Sequence, residues 1–475
     1  MSCSRKMFID GKWVDKEDMI DVTNPYDGSF VDRVPSGTSD DVEKAVQSCK
    51  VGVKEAKKLS AWDRYKILRA TSELIEQRGE ELATLLAKEV GKTIKEARGE
   101  VSRAAETFLL SAEEAKRIHG EMVPFDAAPG AQTKFGFYMR VPLGVVAAIT
   151  PFNFPLNLAA HKIAPAIAAG NTVILKPATK TPLADLVMVE LLLEAGLPAH
   201  MINAVTGPGN AIGDAIVSHE AVRMVTFTGS LEVGTRIAHK AGLKRIVLEL
   251  GSNSACVVAE DGDLQRAAER IRVGAFAVAG QVCISVQRVF VQSSVFDAFL
   301  GILTDKVKRM RVGDQLKEET DMGPMISVQA AEKTSEWIEE AVAKGARLHV
   351  GGEKNGSLFQ PTLLTHVPRE CSLFTEEAFA PLAIINPYDT IEEAIDLVND
   401  SKYGLQAGIF TRDMNRALYA AREFENGGVM INEVPTFRVD LMPYGGQKRS
   451  GIGREGPKYA VDEMTEMRVV GIELS

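Results

Sequence analysis

Residues 143–150 read LGVVAAIT, closed by Pro151, and this stretch decides the fold. Runs of the same kind recur as TVILK (172–176), INAVT (202–206), MVTFTG (224–229) and RIVLELG (245–251). Each is short, rich in Val and Ile, and followed by a turn and a helical stretch. An interval of about 20–30 residues is that of βαβ units in a parallel sheet buried on both faces. A second series follows: ACVVAE (255–260), VQRVFVQ (286–292), LAIINPY (382–388), AGIFT (407–411) and GGVMIN (427–432). The expected fold is α/β, with two doubly wound Rossmann-like domains and right-handed crossovers. Outward from these runs the pattern changes. The first 120 residues read as mostly helical, with Asp40 and Glu43 spaced as a capping box. Residues 122–141, rich in Pro, Gly and Ala before FGFYMRV, read as a β hairpin arm. The tail EMTEMRVVGIEL is β-prone and suited to another subunit's sheet edge.

Composition bounds the function. The chain has 475 residues, enough for two or three domains at roughly 100–200 residues each. Apolar residues make up 45% and charged residues 25%, ordinary globular values. A net charge of −9 argues against a nucleic-acid binder, which needs basic stripes. No apolar run reaches the roughly 18 residues of a membrane helix, and the N-terminus lacks the apolar core of a signal peptide. The expectation is a soluble, cytoplasmic protein, without nucleic-acid or membrane partners. The cysteines Cys3, Cys49, Cys256, Cys283 and Cys371 form no CxxC pair. No histidine lies near them, so neither a disulfide framework nor a metal site is expected.

Several motifs carry chemistry. Gly451, Gly453 and Gly456 match GxGxxG literally, but no strand precedes them and no βαβ unit fits behind, so they read as turn glycines. Gly229 and Ser230, with Gly234 beyond, differ: they follow a strand and open a helix, where free N–H groups and a hydroxyl suit a phosphate. An ordinary βα turn is the other reading. Gly209 closes a second turn on the same edge. Cys283, after Gly280 and Gln281, lies in a polar setting unlike that of Cys256, though a lone cysteine is more often a buried apolar residue. Glu249 interrupts an apolar strand at its carboxyl end. There it is either a solvated edge residue or a desolvated carboxylate with a raised pKa, fit to be a general base.

Together these residues resemble the NAD(P)-dependent aldehyde dehydrogenase superfamily. The ordered motifs are Pro151-Phe-Asn153-Phe-Pro155, Lys176-Pro177, Phe227-Thr-Gly229-Ser230, Leu248-Glu249-Leu-Gly251, Gly280-Gln281-x-Cys283, Glu376-Glu377-x-Phe379-x-Pro381, and Pro443-Tyr-Gly-Gly446 with Ser450-Gly451. The resemblance implies that Cys283 is the nucleophile, that Asn153 and the Cys283 N–H hold the oxyanion, that Glu249 activates water, and that Lys162 holds the site together. It implies cofactor contacts from Thr150, Lys176, Thr179, Lys180, Gly209, Gly229, Ser230, Gly234, Glu377 and Phe379. The domains it implies are 1–121 with 142–249 for the cofactor, 250–436 for catalysis, and 122–141 with 455–475 for assembly into a homodimer or homotetramer.

The chain departs from the family in two places: Ala380 precedes Pro381, and Ser252 stands second after Leu250. Thr179 occupies a position where NAD-preferring relatives often have Glu. Thr removes a repulsion from the 2′-phosphate, and Lys176 and Lys180 add positive charge, so NADP is favoured over NAD. The closest branch handles small polar or anionic aldehydes, among them lactaldehyde, succinate semialdehyde, phosphonoacetaldehyde, sulfolactaldehyde and glyceraldehyde 3-phosphate. Arg103, His161, Arg288 and Arg438 are the expected substrate-binding residues, because an arginine fork suits carboxylate, sulfonate or phosphate. Val282 counts against glyceraldehyde 3-phosphate, and Phe152 and His161 replace the aromatic positions a betaine cation needs. The expected reaction is irreversible oxidation through a thiohemiacetal and a thioester with hydrolysis. Acyl transfer to coenzyme A, or a non-catalytic role on the same fold, is the alternative.

Overall fold

The computed structural model describes residues 5–474; Cys3 and Ser475 lie outside the described residues. Two α/β layers carry the molecule. The first is an eight-stranded sheet. Its five central strands are parallel and run, across the sheet, Ile202–Ala204, Thr172–Lys176, Val145–Ile149, Val222–Thr228 and Arg245–Glu249. In chain order this is 3-2-1-4-5, so the winding reverses between Val145–Ile149 and Val222–Thr228. Strands buried on both faces need no polar alternation, which is why the runs are continuously apolar. The second sheet has seven strands, with six parallel ones in the order 362–365, 382–388, 288–292, 255–258, 406–410 and 428–431. Both expected sheets are therefore present.

The amino-terminal region differs from its helical reading. Residues 7–35 form four short strands before the first long helix at Ser39–Ala56. Met7–Ile9 and Lys12–Val14 make a hairpin on the edge of the first sheet. The turn is Asp10-Gly11, both with positive φ (54° and 72°), the backbone a two-residue hairpin requires. This Asp-Gly pair was legible and outweighs the helical periodicity that follows it. The helix start also moves: the capping box joins Thr38 to Asp41, whose Oδ2 accepts the Thr38 N–H at 2.8 Å, rather than Asp40 to Glu43.

The helix Pro155–Ala168 sits behind the first sheet and is buried along its entire length. Pro155 at its first turn costs no hydrogen bond there. The helix carries Asn157, His161 and Lys162 inward. The arm forms as expected: Lys134–Pro142 pairs antiparallel with Met122–Val123 and, over nine residues, with Thr465–Glu473. The tail thus joins its own chain's arm. The outer side of Thr465–Glu473 pairs with nothing among the described residues and exposes Met467 and Val469.

Candidate active site

Ligands gather at the carboxyl ends of parallel strands where the winding reverses. A cleft of about 490 Å³ opens there, between the sheets, walled by Thr150–Asn153, Thr179, Lys180, Phe227–Ser230, Glu249–Gly251, Cys283, Lys333, Glu377 and Phe379. Ten of the site residues singled out from the sequence line it.

The backbone before Cys283 is strained. Val278, Ala279 and Gly280 take successive left-handed φ values of 50°, 52° and 70°. A β-branched residue there is unfavourable, so surrounding contacts must hold it. The Val278 N–H donates to Glu96 Oε1 at 2.7 Å, and Gln281 Oε1 accepts the Ile326 N–H at 2.9 Å. Gly280 is obligatory because a Cβ would lie 1.9 Å from the Ala380 carbonyl oxygen. This turn swings Cys283 out of the core into the cleft. Asn153 Nδ2 donates to the Gln281 carbonyl at 2.8 Å, which fixes its amide beside the cysteine loop. Cys283 Sγ lies 3.1 Å from Tyr444 Oη. Burial pushes the thiol up to about 11, against the lowering effect of that hydroxyl.

Glu249 ends the strand Arg245–Glu249 and is buried, with neither carboxyl oxygen bonded to any described residue. Burial and the nearby Glu455 raise its pKa well above the ordinary carboxylate range. The Glu249 side chain is thus a carboxyl held toward its protonated form, and it becomes a base on ionising. Glu455 is the opposite case. Burial works against its charge, but Lys162, His161 and Arg438 hold it down at about 2. Lys162 Nζ donates to Glu455 Oε1 and to Thr228 Oγ1, each at 2.7 Å. Two carboxyls in one pocket are thereby driven to opposite protonation states.

The walls fit a dinucleotide. Ser230 caps the helix Leu231–Ala241, its Oγ accepting the Val233 N–H, so the helix N-terminus faces the cleft. Glu377 Oε1 accepts the Ser252 N–H at 2.9 Å, and burial raises its carboxyl to about 7. Phe379 packs edge-on against Phe152 at 5.7 Å, closing the end near Cys283. Thr150 Oγ1 donates to Asp185 at 2.7 Å, and Thr179 Oγ1 to the Gly207 carbonyl at 3.1 Å. Lys176 is buried behind the wall, bonded to the Pro177 carbonyl, and burial lowers its pKa to about 8. Gly209 and Gly234 are not on the wall. Gly234 instead lets the helix close on the sheet, since a Cβ would meet Leu250 at 2.3 Å.

Three of the four expected substrate residues converge. Arg103 makes a bidentate pair with Asp440, Nε to Oδ2 at 3.0 Å and Nη2 to Oδ1 at 2.7 Å. His161 Nε2 lies 2.8 Å from the same Oδ1 and 3.1 Å from Arg438 Nη2. Arg438 stacks 3.7 Å above the Tyr444 ring, whose hydroxyl reaches Cys283. Arg288 does not join them. It is buried in the second sheet, and its guanidinium donates to the carbonyls of Asn253, Leu397, Val398 and Asp400. The sequence shows an arginine but not that four carbonyls consume its donors. Tyr444, Asp440 and Glu455 escaped notice. Tyr444 stood in a quoted motif without a role, and Glu455 lay inside the misleading GxGxxG match. Asp440 had one local signal, its position two residues after Arg438.

The model of the aldehyde dehydrogenase family matches residues 13–470. A 3-sulfolactaldehyde dehydrogenase of Priestia aryabhattai is 48% identical over 468 residues, covering 98% of each chain. Aldehyde dehydrogenase 21 of Physcomitrella patens, solved with the reaction product succinate, superposes with a TM-score of 0.97 at 38% identity, covering 100% of this chain and 99% of that one. The NADP complex of GapN, a glyceraldehyde-3-phosphate dehydrogenase of Methanocaldococcus jannaschii, gives 0.93 at 42% identity, covering 97% and 100%. With the cysteine, glutamate and asparagine in one cleft, these matches leave a single assignment: the chain belongs to the aldehyde dehydrogenase family and is an NAD(P)-dependent oxidoreductase.

Proposed function

We propose that this enzyme oxidises a small aldehyde carrying an anionic group to its carboxylate, with Cys283 as nucleophile, Glu249 as base and hydrolytic release. The observation that carries the reading is Glu249: a buried, unpartnered carboxyl at the cleft that also holds the half-buried Cys283 sulfur. The Cys283 sulfur adds to the aldehyde carbon. Asn153 Nδ2 and the Cys283 N–H donate to the oxygen that gains charge, a contribution of a few kcal/mol for each such donor. The thiol's proton passes to solvent, and the adduct becomes a thioester by losing a hydride; a nicotinamide dinucleotide, which Ser230 and Glu377 would hold, would supply that two-electron oxidant. Glu249, in its ionised form, then takes a proton from water as it attacks the thioester, and Cys283 leaves. A coenzyme A-acylating enzyme has no need of that base, so Glu249 favours hydrolysis. Lys162 keeps Glu455 ionised and thereby keeps Glu249 apart from it as the proton-accepting group.

Arg103 and Arg438, with the neutral His161 beside them, form the cationic side of the substrate pocket, and the sulfolactaldehyde and succinate relatives suit such a pocket. Thr179 in place of a carboxylate, with Lys180 on the cleft wall, favours NADP over NAD. The exposed strand Thr465–Glu473 is the surface on which copies assemble as a dimer or tetramer, which sedimentation would read directly. The decisive test is reduction of NADP and NAD by neutral and anionic aldehydes, using wild type, Cys283→Ala and Arg103→Ala. The reading requires no turnover in Cys283→Ala and an anion preference that disappears in Arg103→Ala. Equal rates on neutral aldehydes, indifferent to Arg103, would overturn the anionic substrate.

A further inference from the structure

The substrate arginines do not stand free. Asp440 is almost fully buried and takes both Nε and Nη2 of Arg103, while Arg103 Nη1 has no part in that pair. A carboxylate accepts only, so the Asp440 bond puts the hydrogen on His161 Nε2; Arg438 Nη2, 3.1 Å from the same nitrogen, then makes no hydrogen bond to it, and Nδ1 presents a lone pair. His161 Nδ1 and Arg438 Nε are both buried without a partner among the described residues. A carboxylate that answers one arginine and one histidine, beside two unmet nitrogen atoms, leaves a pocket partly neutralised rather than empty of counter-charge.

The charges can be counted. Arg103, Arg438 and Lys162 are cations, and Asp440 and Glu455 are anions. Burial and the neighbouring Arg438 keep His161 neutral, and Glu249 holds its proton. Burial opposes the charge on Asp440, but hydrogen bonds from His161 and Arg103 hold its carboxyl well below the usual range. Asp440 thus cancels one of the positive charges beside which an anionic tail would lie. A doubly charged tail brings one more negative charge beside the buried Asp440 than a singly charged tail does, and Asp440 repels that added charge.

We infer that Asp440 is a specificity-determining residue: by occupying the Arg103 fork and the His161 N–H, it tunes the pocket to aldehydes with a singly charged carboxylate or sulfonate and against doubly charged phosphates. The inference rests on the anionic-substrate reading above and deepens it. Asp440 acts through Arg103 and His161, so it is a positioning residue.

The test compares KM and kcat for succinate semialdehyde, a monoanion, and glyceraldehyde 3-phosphate, a dianion, at pH 7.5. Asp440→Asn keeps the shape and removes the charge; Asp440→Glu keeps the charge. The expected result is that Asp440→Asn lowers KM for the dianion about tenfold relative to the monoanion, with little change in kcat, whereas Asp440→Glu keeps the wild-type ratio. An unchanged ratio in Asp440→Asn, or the same shift in Asp440→Glu, overturns the inference while leaving an anion-binding Arg103 in place. A wild type indifferent to anionic tails and to Arg103→Ala overturns both readings together.

Discussion

Replacing Tyr444 by Phe isolates what the tyrosine hydroxyl does for the Cys283 thiol. Its oxygen lies 3.1 Å from Cys283 Sγ. Burial raises the tyrosine's own pKa well above 10, so it remains a donor throughout the working pH range. Burial sets the Cys283 thiol at about 11 even with this donor present. At pH 8 about one molecule in a thousand then carries the thiolate. A hydrogen bond to a charged group contributes about 1.5 kcal/mol, equivalent to about one pK unit. The bond stabilises the charged form, so its loss raises the thiol pKa and lowers the thiolate fraction about tenfold. Phe keeps the ring beneath Arg438, so the stacking at 3.7 Å survives. The assay is the alkylation rate of Cys283 by iodoacetamide from pH 7 to 10, with Cys283→Ala as the background for the other four cysteines. The expected result is an approximately tenfold slower reaction at pH 8 and a profile displaced upward by about one unit. Alkylation at an unchanged or faster rate would refute the idea that Tyr444 donates to the nucleophile.

Glu249→Gln should still acylate, giving a rapid burst of one equivalent of reduced cofactor per active site, and then turn over about 10²–10⁴-fold more slowly. Because only the ionised form accepts a proton and its pKa is raised, wild-type turnover should climb with pH while the variant's stays flat; stopped-flow absorbance separates the two phases. Thr179→Glu puts a carboxylate on the cleft wall beside Lys180; on the proposed NADP reading, kcat/KM for NADP should fall about tenfold relative to NAD, read from parallel steady-state assays. Arg288→Met strips the donors from four carbonyls. It should lower stability by about 3 kcal/mol in urea unfolding, the cost of leaving buried acceptors unmet, and leave KM for the anionic aldehyde unchanged.

The parallel sheets were readable because a buried strand needs an unbroken apolar run, and such runs stand out between turns and amphipathic helices. Gly229, Ser230, Glu249 and Cys283 were readable for a related reason: each breaks an apolar or regular pattern where a strand or helix ends. The amino-terminal strands were not, since three-residue strands carry too little periodicity, although Asp10-Gly11 marked the turn. The arm showed in its composition, but not the pairing of the tail with it, because a β-prone segment does not encode which edge it meets.

The sequence by itself determined the two α/β layers, and its ordered motifs, through their resemblance to the family, pointed to Cys283, Glu249 and Asn153 as candidates for nucleophile, base and oxyanion donor. These depend on local pattern and on residue types that chemistry makes scarce. Which charges are free to act was decided by tertiary structure alone. Arg103, Arg288 and Arg438 look alike in the chain. One pairs with Asp440, 337 positions away, another is consumed by backbone carbonyls, and the third stacks on Tyr444 beside Glu455. A charged group's function depends on its unmet partners, and those are fixed by through-space neighbours that the order of residues does not reveal.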